Sequence, residues 1–228
     1  MRSLKSANPL LGDRPKSNRS LASHKSFPII TMETITLRIP PHAAITDEQF
    51  YYLSTANEEW RMELTSKGEL IIMPPTGGES GIRNSDLNLQ VGLWNRQTRL
   101  GFVFDSSTIF QLPNGAKRSP DVSWVIRERW EALSVEDKRR FPPLCPDFVI
   151  ELRSETDSLP KLQSKMLEYL ANGLRLGWLI DPQTPGVEIY RPDRDVETLN
   201  FSEQTLPTLS GESILPGFYL DLAPILNL

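Results

Sequence analysis

The sequence predicts a mixed α/β fold, on three observations. Apolar residues recur at helical spacing in two stretches, Leu87–Val91–Trp94–Thr98 and Leu162–Met166–Tyr169–Leu170. Two further segments alternate with the period of a strand, Asp121–Ile126 and Asp147–Arg153. The order of elements is helix, strands, helix, more strands, helix, strand. That order lacks the regular alternation of an all-parallel sheet.

In chain order, residues 1–31 are rich in Ser, Lys and Arg without periodicity and read as a disordered basic tail. Met32 opens the first regular alternation, METITLRIP, and is the expected true start, so 32–228 is read as a single domain. Thr46 or Asp47 caps a short helix over DEQFYYLSTANEE. Trp60–Leu64 and Glu69–Met73 form a hairpin turned by Ser66-Lys67-Gly68. Glu79–Arg99 is a helix stopped by Gly101. Strands follow at Phe102–Phe104 and Thr108–Leu112, then a turn at Pro113-Asn114-Gly115. Glu128–Leu133 reads as one short surface helix. Ser158 and Pro160 start the last long helix, which Gly173 ends. Leu176–Asp181 and Val187–Tyr190 are strands, and Ser213–Leu222 is an extended segment.

Composition excludes several chemistries. His24 and His42 are the two histidines and Cys145 the one cysteine, too few ligands for a histidine–cysteine zinc site. A Ser-His-Asp triad could be built on His42 alone among ordered segments. A single cysteine also excludes an intrachain disulfide and fits a reducing cytoplasm. No apolar run approaches the roughly 20 residues of a membrane span. The Gly77-Gly78 pair lacks the Gly-Lys-Ser/Thr ending of a phosphate loop. The tail holds six basic residues and one acid, leaving 19 basic and 28 acidic residues, a net of −9, in the rest. That body is a poor platform for non-specific DNA binding, which runs on phosphate neutralisation, unless a local patch outweighs the mean.

The chemistry must therefore lean on carboxylates, lysines and arginines. Asp121 starts its strand and Glu151 ends its own, so antiparallel pairing brings the two acids together. Two converging carboxylates with a cation nearby make a hard-metal site suited to phosphodiester cleavage. The plain alternatives are a backbone-bonding strand-start residue for Asp121 and an ion pair with Arg153 or Lys165 for Glu151. Arg153 stands open between electrophile and counter-ion. Lys165 and Lys161 lie on one helical face with Glu168 and Asn172, ordinarily a solvated stripe. Glu63, at the end of the first hairpin strand, is a candidate further metal ligand, whereas Asp147 reads as a turn residue.

Pro120-Asp121, Pro146-Asp147, Glu151-Leu152-Arg153-Ser154, Lys165 before Tyr169 and Gly173, and Trp178-Leu179-Ile180-Asp181-Pro182 together resemble the bacterial Uma-two family of restriction endonucleases, within the PD-(D/E)xK nuclease superfamily. The likeness spans about Thr46 to Leu222. It implies a restriction-endonuclease-like core, a mixed β-sheet flanked by helices, with Mg²⁺ or Mn²⁺ held by Asp121 and Glu151. The signature lysine belongs two residues after Glu151, where this sequence has Arg153. A guanidinium is always charged and serves poorly as a base, so Lys165 is the implied substitute. Asn84 stands where many relatives carry a histidine.

The expected function is thus a metal-dependent endonuclease, with Asp121, Glu151, Arg153 and Lys165 catalytic and Asp121, Glu151 and Glu63 on the metal. Its partner is nucleic acid, DNA foremost, with a homodimer left open. A nuclease-fold module that binds nucleic acid or protein without turnover is the rival, and a hydrolase of small phosphate esters a third reading. A chain beginning at Met32 is predicted to keep the melting temperature of the full chain, because the tail has no apolar stripe to bury. Calorimetry of the two checks it, and a drop of several degrees would show that the tail packs on the domain.

Overall fold

The computed structural model of the chain describes residues 34–202 and 205–226. The basic tail and the Met32 start lie outside the described residues. Among the described residues thirteen strands are formed: β1 (Ile35–Arg38), β2 (Arg61–Leu64), β3 (Glu69–Met73), β4 (Gly101–Asp105), β5 (Phe110–Gln111), β6 (Lys117–Arg118), β7 (Val122–Ile126), β8 (Phe148–Leu152), β9 (Leu176–Asp181), β10 (Gly186–Tyr190), β11 (Glu197–Asn200), β12 (Leu209–Ser210) and β13 (Tyr219–Leu220). The helices are α1 (Asp47–Ala56), α2 (Gly78–Thr98), α3 (Arg127–Glu131), α4 (Val135–Arg139), α5 (Leu159–Ala171) and α6 (Ala223–Leu226).

The larger sheet has six strands in the order β11-β10-β9-β8-β7-β4, antiparallel except for the β8–β9 pair. A parallel pair needs a long crossover, and α5 supplies it. Strands β7, β8 and β9 are buried along nearly their whole length, because helices cover both faces. On one face Leu87, Val91 and Trp94 of α2 pack with Val122, Trp124, Ile150 and Trp178. On the other, Met166 and Tyr169 of α5 pack with Val125, Val149 and Leu179. The fold class is therefore α/β, a mixed sheet between helices, as the sequence predicts.

A second sheet, of five strands in the order β1-β3-β2-β6-β5, carries the early hairpin. The two-residue β6, which periodicity does not reveal, pairs with β2 at Leu64↔Lys117. The chain then leaves this sheet at Arg118 and enters the larger one at Val122, so Ser119-Pro120-Asp121 is the joint between them. Register Val122↔Ile150, carried one residue further, sets Asp121 opposite Glu151.

Four local expectations are corrected. The helix read over Glu128–Leu133 is formed as α3 but stops at Glu131, and a second short helix that the sequence reading lacks, α4, follows because Ser134 accepts from the Asp137 N–H and caps a new start. Ser213–Leu222 is not continuously extended: β13 pairs with β12 across a turn at Gly211–Phe218. Ser158 sits at the start of α5 without a side-chain capping bond. Helix α2 ends on Arg99, in the left-handed region at φ 55°, rather than on Gly101. Gly101 belongs to β4, where an added Cβ would lie 2.2 Å from the Val125 carbonyl oxygen and 2.5 Å from the Trp124 ring. Gly177 faces a softer obstacle, the Met166 terminal methyl at 2.5 Å.

Gly101→Ala is therefore predicted to destabilise by about 3 kcal/mol, because backbone and a buried indole cannot yield. Gly177→Ala costs about 1 kcal/mol, since a methionine end can rotate away. Urea denaturation of both variants measures the order.

Candidate active site

Lys165 is the hub of the candidate site. The apolar stripe of α5 docks Met166 and Tyr169 into the sheet and turns Lys165 toward the joint between the sheets. Its Nζ lies 2.7 Å from Glu151 Oε1 and 2.8 Å from Glu63 Oε1, and donates to the Ser119 carbonyl at 3.2 Å. Glu151 Oε1 also accepts from the Tyr169 hydroxyl at 3.1 Å. Asp121 Oδ2 accepts from the Leu152 N–H at 2.9 Å, which ties the acid to the end of β8. Its Oδ1 accepts from Asn84 Nδ2 of α2 at 3.2 Å and lies 3.9 Å from the Arg61 guanidinium.

The buried carboxylates titrate in opposite directions. Burial, reinforced by the charges of Asp121 and Glu63, pushes Glu151 up to about 7 against the pull of Lys165. Asp121 is raised too, by burial against Arg61 and the Leu152 N–H. Burial also penalises Glu63, but Lys165, Arg118 and the Ser119 N–H outweigh it and hold Glu63 down at about 2. Burial alone would lower Lys165; Glu151 and Glu63 override it and raise the ammonium above its ordinary value. Lys165, which the family resemblance implies as the substitute base, is thus held as the protonated ammonium.

The structure brings Asp121, Glu151, Glu63 and Lys165 together. Glu63 takes partners other than those expected of a metal ligand. Its Oε1 accepts from the Ser119 N–H at 2.9 Å and from Lys165, and its Oε2 pairs with Arg118 at 2.9 Å. Arg153 makes no contact with either acid. Beside β9 it pairs with Asp181 at 2.7 Å and donates to the Asp157 carbonyl. Asp147 is a buried anchor rather than a turn residue, accepting from the Ile126 N–H and paired with Arg129. Residues the sequence analysis missed are Arg61 and Arg118. Arg118 also donates to Glu168 at 2.6 Å, so the α5 stripe is a buried ion-pair face at Lys165 and Glu168. Lys161 instead lines a cleft of about 1340 Å³, together with Arg38, Lys67, Glu63 and Lys165; Asp121 and Glu151 are not part of its wall.

The donor set suits a hard divalent cation. Asp121 and Glu151 are buried oxygen donors whose carboxyls burial pushes up, with the neighbouring charges of Asp121 and Glu63 adding to the rise at Glu151. The Asn84 amide oxygen is buried without a hydrogen-bond partner among the described residues. No group of three His, Cys, Asp or Glu residues is arranged as a metal site among the described residues. Two carboxylates with water completing the shell fit Mg²⁺ or Mn²⁺ rather than a fully protein-built cage.

A family model described as "Putative restriction endonuclease" matches residues 47–223. The chain belongs to this Uma2 (Uma-two) family. Its fold is also similar to the crystal structure of "a putative nuclease belonging to DUF820" from Anabaena variabilis ATCC 29413. The TM-score is 0.61 at 21% identity, covering 73% of this chain and 89% of that one. No curated protein matches the chain significantly in sequence. Among the described residues of this Uma2 member, no helix is long and apolar enough to cross a membrane.

Without metal, Glu151 sets a pH dependence. Its folded-state pKa lies above the unfolded value, so the folded chain holds the extra proton and loses stability as pH rises from about 4.5 through 7. Glu151→Gln is predicted to gain on wild type by on the order of 2–3 kcal/mol between pH 5 and pH 8. Urea denaturation in chelator at the two pH values reads it, and an unchanged difference would show that Glu151 is charged throughout.

Proposed function

We propose that this Uma2 member is a divalent-metal-dependent endonuclease that hydrolyses phosphodiester bonds of nucleic acid, DNA foremost. The observation that carries the reading is the buried Asp121–Glu151 pair, with one protonated lysine against it and negative charge left unmatched. Asp121 and Glu151 would hold Mg²⁺ or Mn²⁺. Bound there, such an ion supplies Lewis-acid charge to the scissile phosphate and acidifies water. Asp121 is steadied by the Leu152 N–H and Asn84, and Glu151 by Tyr169. Lys165 would contribute charge and hydrogen-bond donation to the developing oxyanion, a role its raised pKa favours over that of a base. Glu63 and Arg118 hold Lys165 in place, and Arg153 acts as the counter-ion of Asp181.

The rival, a nuclease-fold module without turnover, draws on one observation: Arg153, at the position of the superfamily lysine, is turned to Asp181. Cleavage of plasmid and single-stranded DNA in Mg²⁺ or Mn²⁺ separates the two. Asp121→Asn is predicted to abolish both cleavage and calorimetric Mn²⁺ binding. Lys165→Met is predicted to lower the single-turnover rate by on the order of 10²–10³ with Mn²⁺ binding retained. No metal-dependent cleavage by wild type, or full activity in Lys165→Met, would overturn the assignment.

A further inference from the structure

Six buried side-chain polar atoms have no hydrogen-bond partner among the described residues, and two of them flank Asp121: Arg61 Nε and Asn84 Oδ1. The two are complementary, one a donor and one an acceptor. The Asn84 amide cannot turn to relieve this, because its nitrogen must face the Asp121 carboxylate, which leaves the oxygen unpaired. The Arg61 side chain makes no hydrogen bond among the described residues. Its closest charge is Asp121 Oδ1 at 3.9 Å, too long for a bond. A structural counter-ion would close that gap, as Arg118 does with Glu63 at 2.9 Å. The Arg61 side chain is 29% exposed and that of Asp121 12%, so this side of the site is reached from solvent.

A buried guanidinium donor without an acceptor is an unfavourable state that an incoming oxyanion relieves. A guanidinium edge offers two parallel N–H groups, the geometry that clamps phosphate oxygens. We propose that Arg61 is the phosphate clamp of this site: its guanidinium, reached through the Nη groups, binds a phosphate group beside Asp121, and the Asn84 oxygen accepts from water that accompanies it. The ligand class is a hydrated phosphate oxyanion. The inference rests on the nuclease reading only for what carries the phosphate, a nucleic-acid backbone rather than a free ion.

The test has two arms, each run on wild type, Arg61→Gln and Arg61→Lys. In the first, inorganic phosphate is added in chelator and the melting temperature followed, with chloride of equal ionic strength as the control. In the second, a labelled DNA oligonucleotide is titrated in Ca²⁺ and its anisotropy read across a salt series. Phosphate is expected to raise the melting temperature of wild type and not of Arg61→Gln. Oligonucleotide affinity falls roughly ten-fold in Arg61→Gln, and the salt slope drops by about one. Arg61→Lys keeps the charge without the fork and keeps the salt slope while recovering only part of the affinity. This conservative variant also carries the test should Arg61→Gln fail to fold.

Protection by phosphate that depends on Arg61, without oligonucleotide binding by wild type, upholds the clamp and overturns the nuclease reading. Oligonucleotide binding that is the same in all three proteins, with phosphate protection unchanged, overturns the clamp and leaves the nuclease reading standing.

Discussion

The site depends on one buried ammonium. Lys165 is the point at which the five-stranded sheet, through Glu63, meets the six-stranded sheet, through Glu151, with α5 supplying the cation. Burying a lysine is costly unless it is paired, and burying a carboxylate is costly for the same reason. Three carboxylates are buried around it, however, and their partners are unequal. Glu63 has Arg118 and the Ser119 N–H besides Lys165, and it stays charged well into acid. Glu151 has Lys165 and a phenol, and it faces Asp121. The unmatched negative charge therefore collects at the Asp121–Glu151 end of the cluster. An asymmetric cluster of this kind separates a structural ion pair from a place that wants a cation.

The same arrangement explains how the backbone positions the acids. Asp121 lies in a three-residue joint between sheets, a place where a side chain would ordinarily wander. The Leu152 N–H and the Asn84 amide fix it from two directions. At the far end of β8 the chain turns sharply, with Asp157 Oδ2 accepting from both the Ser154 N–H and hydroxyl. That turn sets where α5 begins, and so the height at which Lys165 projects. Gly173, at φ 101°, ends the helix in the left-handed region, and the chain re-enters the sheet as β9.

Much of this was legible in the sequence and some was not, for physical reasons. The convergence of Asp121 and Glu151 follows from strand periodicity and antiparallel pairing, both local properties of the chain. The stripe that docks α5 is likewise local. The partners of Glu63 are not: Arg118 sits on a strand of two residues, too short for any period to register. The protonation of Lys165 depends on Glu63 across a hundred residues of chain, so its direction could not be read from α5 alone. Arg153 stands open in the sequence between electrophile and counter-ion, because its partner depends on the parallel register that puts Leu152 beside Ile180 and hence Arg153 beside Asp181. Asp147 has the spacing of a turn residue, and only the tertiary structure shows it buried under Ile126 and Arg129.

The fate of Arg153 has a consequence for how the site holds together. Asp181 accepts from the N–H groups of Gln183 and Thr184, so the Arg153–Asp181 pair belongs to the β9–β10 turn. Position 153 is thereby committed to structure, and the cation paired with Glu151 comes from a helix instead of a strand. A strand cation keeps its place through the ladder of hydrogen bonds that defines the sheet. A helix cation keeps its place only as well as the helix docks. Met166 and Tyr169 flank Lys165 on α5, and both are fully buried against the sheet. Packing beneath α5 and charge above it are thus coupled through a single turn of helix. Substitutions in that core layer act on the ammonium without touching it, because native-state packing transmits even a methylene-sized change.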